Sequence, residues 1–350
     1  MSGQAPMPGA IAWIDGRWGT PAELGVPLHD RGLLLADGLF ETVLVQAGRA
    51  VLLEAHLQRW RESAAMLAMD APPDAAALEP LIREAIARAG LNAEAASGAL
   101  RLNWSRGDGS GRGIDLPADA GDPGRGPSQP HGHRFWLQLN PFTPSFTPQT
   151  AHISRQERRN GSSRLSRCKT FAYGQAIQAR REAREAGAEE ALLLSTAGGL
   201  SCGAVANLLV RCHGRWLTPP LSSGCLPGVM RGRALALGLA EEAELSWEPL
   251  PLQAGTAASA PATAASQRSE LASQGPWLLL NSLGCRPLRA VDGRQLPHLS
   301  AAEAEAFWRQ LLAADPQTGP LSCTPDPRAA SQPTTGSAAL GQRRGDRLKR

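Results

Sequence analysis

Two strand–turn–strand patterns running directly into two amphipathic helices constrain this chain more than any other feature. Ile11 and Trp13 alternate ahead of Asp15-Gly16, which predicts a strand over 9–16 and a hairpin turn. Residues 41–53 (ETVLVQAGRAVLL) repeat the pattern around Ala47-Gly48. Leu53, Leu57, Trp60, Ala64 and Leu67 then recur at helical spacing, predicting a helix over 54–69. A second helix fits 76–90, with Leu78, Leu81, Ile82, Ala85 and Ile86 as its buried stripe. Strands at 99–104 and 134–140 flank a Gly/Pro/Asp-rich loop. The first 140 residues therefore read as an α+β unit of antiparallel strands and two helices.

Beyond that unit the chain divides by composition. Residues 141–165 are rich in Pro, Ser and Arg and read as an interdomain crossing. A larger C-terminal domain follows over 166–314. It has helices near 171–186, 228–243 and 301–313, and strands at 190–195, 205–212, 215–218 and 276–281. Residues 253–275 are low-complexity and read as a mobile loop, and 315–350 as a disordered basic tail.

The charge lies where a nucleic-acid binder would not put it. The formal net charge is +4, and the last ten residues, GQRRGDRLKR, carry all of it; the remaining body is neutral. No run of 18 apolar residues suggests a membrane helix, and MSGQAPMPGA has neither a basic nor an apolar signal region. Six cysteines form no CxxC pair, which fits reduced thiols in a cytoplasm. Of 36 basic residues only Lys169 and Lys349 are lysine, and Lys349 lies in the tail. A lysine kept mid-chain raises the question of what arginine cannot do. Arginine cannot shed its proton near neutral pH, so it can neither form an imine nor act as a base.

Taken singly, the other candidates are ambiguous. Gly-Val-Met-Arg (228–231) after Pro227 is a loop entering a helix, either an ordinary junction or a phosphate cradle. Arg59 reads as a solvated helix arginine, and His56 as a packed or surface histidine. No Ser-His-Asp spacing, HExxH or Walker loop is present.

The blocks taken in order are more specific. DRGLLLADGLFETVLVQAGRAVLLEAHLQRWRESAAML (30–67), Ser105-Arg106-Gly107 with Gly111-Arg112-Gly113, and Cys168-Lys169-Thr170 resemble the class IV pyridoxal-phosphate enzymes. GAEEALLLSTAGGLSCGAVANLLV (187–210), LTPPLSSGCLPGVMRG (217–232) and LLLNSLGCRPLRAVDG (278–293) continue the resemblance. That group includes branched-chain and D-amino-acid aminotransferases and 4-amino-4-deoxychorismate lyase. The resemblance implies a two-domain, fold-type IV homodimer with pyridoxal 5'-phosphate in the interdomain cleft and a small-molecule substrate. It makes Lys169 the Schiff-base lysine, Arg59 the phosphate-binding arginine, and Val229 and Met230 the helix start that cradles the phosphate. Tyr173 sits where many relatives have a tyrosine beside the cofactor. Arg106, Arg112, Asn281 and Ser282 become candidate substrate-carboxylate ligands, with Met230, Phe40 and Leu39 lining or underlying the pocket.

One position departs from the pattern. The family normally has a glutamate five residues before the asparagine matching Asn207, to keep the pyridine nitrogen protonated; here that residue is Cys202. A thiol is a poor substitute for a carboxylate there. The departure argues against amino transfer more than against elimination, because forming an aromatic ring supplies driving force of its own. The GVMR block, the RGDGSGRG loop and Asn281-Ser282 resemble the lyase form. The leading expectation is a folate-pathway lyase giving 4-aminobenzoate and pyruvate. The alternatives are a branched-chain or D-amino-acid aminotransferase, and a non-catalytic relative.

Overall fold

A computed structural model describes residues 9–108, 114–115, 132–247 and 275–313. The basic tail, Arg112 and all of the 253–275 segment except Gly275 lie outside these residues.

The chain begins with the expected hairpin, β1 (Ile11–Ile14) and β2 (Arg17–Gly19). Asp15 and Gly16 both take positive φ, 49° and 78°. That is the turn whose twist matches paired strands. After a short helix α1 (Arg31–Leu35) come β3 (Gly38–Gln46) and β4 (Arg49–Ala50), joined through Ala47 and Gly48 in the same conformation. Helices α2 (Leu53–Met66) and α3 (Ala75–Arg88) follow, then β5 (Ser97–Ser105) and β6 (Arg134–Pro141). The six strands form one antiparallel sheet in the order β2-β1-β6-β5-β3-β4.

The strand period assigns its two faces. Leu39, Val43, Val45, Leu100 and Leu102 point to Leu57, Trp60, Leu78 and Ile82 of the helices and form one core. Phe40, Thr42 and Arg101 alternate with them and belong to the opposite face, since Thr42 pairs with Arg101 in register. That second face borders the site.

The larger, nine-stranded sheet starts inside the expected crossing. β7 (Gln149–Arg159) lies within the 141–165 segment, so that stretch supplies a strand of this sheet. Then come α4 (Gly174–Glu185), β8 (Glu190–Ser195), β9 (Leu200–Gly203), β10 (Asn207–Cys212) and β11 (Arg215–Thr218). Helix α5 (Val229–Ala236) ends at Gly238 in the left-handed region (φ 66°), so the expected 228–243 helix stops early and yields β12 (Ala240–Glu242). β13 (Trp277–Asn281), β14 (Gly284–Val291), β15 (Arg294–Gln295) and α6 (Ala301–Ala313) complete the order.

The sheet runs β12-β11-β10-β13-β14-β7-β8-β9, and β9 also pairs with β10 through Asn207 and Cys202. The path β10-β13-β14-β7-β8-β9 thus closes on itself, and its closing pair falls at the site. Leu208, Val210, Trp277 and Leu279 pack together on one face, while Leu209, Leu278 and Leu280 pack towards α5 and α6 on the other. Helix α4 buries only Ala176, Ala179 and Ala183, small side chains that let it lie close against β7 and β8.

Candidate cofactor site

Lys169 is held between the two sheets by backbone pairing. Phe40 N donates to Lys169 O (2.9 Å) and Phe171 N to Gly38 O (3.0 Å), so residues 169–171 run along the start of β3. Gly38 makes this approach possible. A Cβ there would lie 2.8 Å or less from three carbons of the Phe171 ring. The Lys169 amine donates to Tyr173 Oη at 3.0 Å and stands 4.5 Å from the Phe40 ring centroid.

These residues border a cavity of about 270 Å³ whose lining includes Phe40, Arg59, Arg101, Arg159, Lys169 and Cys202. Its lining holds four basic side chains and no carboxylate among the described residues.

One end is an anion cradle. Arg59 is buried (8% exposed), which corrects its reading as a solvated arginine. Its Nε and Nη2 donate to the two Glu41 oxygens at 2.8 and 2.5 Å, and its Nη1 to Pro227 O at 3.1 Å. His56, one turn earlier on α2, is buried too, with Nδ1 2.7 Å from Glu41 Oε2. Burial works against the Glu41 charge, but Arg59 and His56 outweigh it and bring its pKa down to about 2. For His56, burial dominates and lowers the pKa, so the ring is neutral near pH 7. With Nδ1–H donating to Glu41, Nε2 is the acceptor for the Ser282 hydroxyl at 3.1 Å. Ser282 is thereby fixed at the Arg59 end.

Helix α5 opens at the same end. Its N-cap, Gly228, supplies no side-chain cap, and Gly228, Val229 and Met230 line the cavity. The helix start offers N–H groups and a favourable dipole to an anion. A Cβ at Gly228 would collide with Asn207 Oδ1, whose amide donates to Leu226 O at 2.8 Å. Asn207 thus buttresses the turn into α5, and glycine is required to let it.

Not every expected residue joins the cavity. Arg106 is buried, with Nε on Asp37 Oδ2 (2.9 Å) and Nη1 and Nη2 on Ala68 O and Leu67 O (2.8 and 2.9 Å). The last two contacts tie off the end of α2 and the first holds the turn before β3, and Arg106, expected as a substrate ligand, is absent from the cavity lining. Asn281 does border the cavity, yet its amide is engaged: Nδ2 donates to Val205 O (3.3 Å) and Oδ1 accepts from Leu283 N (2.8 Å). Leu39 is fully buried beneath the site.

Sequence reasoning missed Arg101 and Arg159. The Arg101 guanidinium carbon sits over Phe40, 3.5 Å from the ring centroid, and Nε donates to Asn103 Oδ1 (2.7 Å). Burial lowers its pKa, Tyr173 opposing, yet a guanidinium stays charged at any ordinary pH. It has no carboxylate partner among the described residues. The available signal was an arginine in SGALRLNWS at a position alternating with buried leucines.

An amine free to condense with an aldehyde, beside an arginine and an open helix start, defines a site for an aldehyde-bearing phosphate. The chain matches the family described as amino-transferase class IV over residues 38–263, and it belongs to that family. These are enzymes that use pyridoxal 5'-phosphate, and the residues just described fit that cofactor. The chain is 27% identical over 321 residues to the bifunctional aminodeoxychorismate lyase / D-amino acid transaminase of Mycobacterium tuberculosis, covering 81% of this chain and 92% of that protein. It is 26% identical over 246 residues to the D-alanine aminotransferase of Bacillus licheniformis, covering 67% and 76%. Among solved structures, a hypothetical aminotransferase from M. tuberculosis in its PLP-bound form superposes with a TM-score of 0.65 at 22% identity, covering 87% and 98% of the two chains. The fold is therefore that of the fold-type IV enzymes, as the resemblance implied.

Proposed function

We propose that this enzyme is a lyase converting 4-amino-4-deoxychorismate to 4-aminobenzoate and pyruvate. The observation that carries the reading is the charge of the cavity: four basic side chains, no carboxylate, and Cys202 where the family has glutamate. A dicarboxylate substrate suits such a lining, and the missing acid favours elimination over amino transfer.

Pyridoxal phosphate, when bound, supplies the electron sink for breaking a C–H bond beside the substrate amine. Arg59, Ser282 and the Val229–Met230 helix start hold its phosphate. Lys169, positioned by Tyr173, moves the proton at the reacting carbon. Arg101, charged and without a carboxylate of its own, receives a substrate carboxylate through a charge-assisted pair. The same reading has the protein acting in the cytoplasm as a homodimer. The described cysteines are all free thiols, which supports the compartment. Leu28, Leu33 and Leu34 are 81%, 56% and 64% exposed in and beside α1, which supports a covered face there.

The test is incubation of purified, cofactor-loaded protein with aminodeoxychorismate, assaying 4-aminobenzoate and pyruvate together. Equimolar formation of both supports the lyase. Brisk exchange between D-alanine and 2-oxoglutarate with aminodeoxychorismate untouched would replace it with a D-amino-acid aminotransferase. That second reading is favoured by the names of the two relatives above. Borohydride fixation of the cofactor, followed by peptide mapping, must label Lys169 under either reading.

A further inference from the structure

The cavity lining contains a pair, Arg159 and Cys202, whose relation to each other the reading above leaves unused. Arg159, the last residue of β7, lies near enough to Cys202 on β9 for the two to interact electrostatically. Cys202 is buried (3% exposed), and the Arg159 Nε is shielded from solvent and lacks a hydrogen-bond partner. Both side chains border the cavity. The titratable groups that act most strongly on Arg159, namely Cys202, Tyr173 and Cys225, include no carboxylate. Burial opposes its charge, and Cys202, Tyr173 and Cys225 together outweigh that burial and raise its pKa.

The chemistry of the cofactor says what this pair must face. Its phosphate arm belongs with Arg59, and its aldehyde with Lys169. The ring nitrogen is para to the carbon that bears the aldehyde, so it points away from Lys169. Of the remaining polar side chains on the lining, Asn207 is committed to Leu226 O and Arg101 to Phe40 and Asn103 on the other sheet. Ser282 is committed to His56, Asn281 to Val205 O and Tyr173 to Lys169. Thr42 lies on the smaller sheet opposite Arg101, which leaves Cys202 and Arg159 on the larger one.

We propose that Arg159, on the cavity lining with Cys202, holds the ring nitrogen of bound pyridoxal phosphate in its unprotonated form, as a neutral pyridine accepting from a cation. A guanidinium can only donate, and a second positive charge beside it is disfavoured. The enzyme then works with a weakened electron sink, which penalises amino transfer most. This inference rests on the site being a pyridoxal-phosphate site. It does not depend on which substrate is turned over.

The test uses the holoenzyme reconstituted with pyridoxal phosphate carrying ¹⁵N in the ring, read by the nitrogen chemical shift against pH. Wild-type protein gives the free-pyridine resonance at neutral pH. Cys202→Glu moves it to the pyridinium position, and Arg159→Gln raises the pH at which the nitrogen takes a proton. A pyridinium resonance in the wild type overturns the proposal outright, whatever the variants do, so misfolding of a variant cannot protect it. An unchanged titration in a folded Arg159→Gln protein overturns the role of Arg159. If borohydride fixes no cofactor on Lys169, the underlying cofactor reading fails as well. A fixed cofactor with a protonated ring defeats this proposal alone.

Discussion

Replacing Glu41 by glutamine tests whether the anion cradle is held by charge. Three donors converge on the Glu41 carboxylate: Arg59 Nε at 2.8 Å, Arg59 Nη2 at 2.5 Å and His56 Nδ1 at 2.7 Å, all with Glu41 only 1% exposed. Glutamine keeps the shape but turns an NH₂ towards at least one of those donors and leaves Arg59 buried without its counter-charge. Breaking a buried pair in this way costs about 3–5 kcal/mol. The acid limb gives a second, sharper number. Glu41 lies near pH 2 in the folded chain against an ordinary value of 4.5. Its contribution is therefore complete above pH 4.5 and lost as the pH falls towards about 2, amounting to about 3 kcal/mol in all. Between pH 6 and pH 3.5 the wild type should lose about 1.4 kcal/mol of its advantage over Glu41→Gln. Urea denaturation of both proteins across that range measures the difference and cancels the other carboxylates. A gap of under about 1 kcal/mol at pH 6, or a gap constant down to pH 3.5, would refute the account.

Lys169→Ala should abolish borohydride-fixable cofactor and lower turnover by at least about 10²–10⁴-fold, the usual span for a positioned acid–base group, read by steady-state assay. Arg101→Met should raise KM for a carboxylate substrate about 10–100-fold with a smaller change in kcat, since a charged hydrogen bond contributes about 1.5–3 kcal/mol. Gly38→Ala should cost about 1–3 kcal/mol in denaturant melts and displace Lys169, because the new Cβ would enter the Phe171 ring's space.

What the sequence discloses follows from how local each signal is. The hairpins at Asp15-Gly16 and Ala47-Gly48 and helices α2 and α3 are readable because turn chemistry and apolar period are properties of adjacent residues. Strand β7 is hidden in QTAHISRQERR, whose register shifts between Ile153 and Arg158 and whose end is charged, so alternation never builds up. Strand β14 carries Pro287 and two arginines and looks like a loop until β13 and β7 flank it. At the site, Lys169 is conspicuous by scarcity, and the ordered blocks led to Arg59, Val229 and Met230. Glu41 gave no signal. Its role exists only because β3 faces α2 and brings it to Arg59 and His56. Arg106 shows the reverse case, since an arginine in a glycine-rich stretch resembles a ligand in sequence while the structure sets it against the end of α2.

The four cations of the cavity are not equivalent, and the difference bears on what the site selects. Arg59 is neutralised from behind by Glu41, so its worth to a phosphate lies in geometry and donor count more than in net charge. Arg101 and Arg159 have no such carboxylate among the described residues, and each is set against a polarisable neighbour, the Phe40 ring and the Cys202 sulfur. A buried cation without a counter-ion is expensive to hold, and that expense is relieved when an acceptor arrives. Relief is available to a substrate bearing carboxylates and to a pyridine lone pair. It is not available to an amine lacking an acid group. Such amines should therefore bind poorly even where they fit. Competition by neutral and dicarboxylate amines for the loaded enzyme measures this directly, and equal inhibition by both would show that Arg101 and Arg159 are silent.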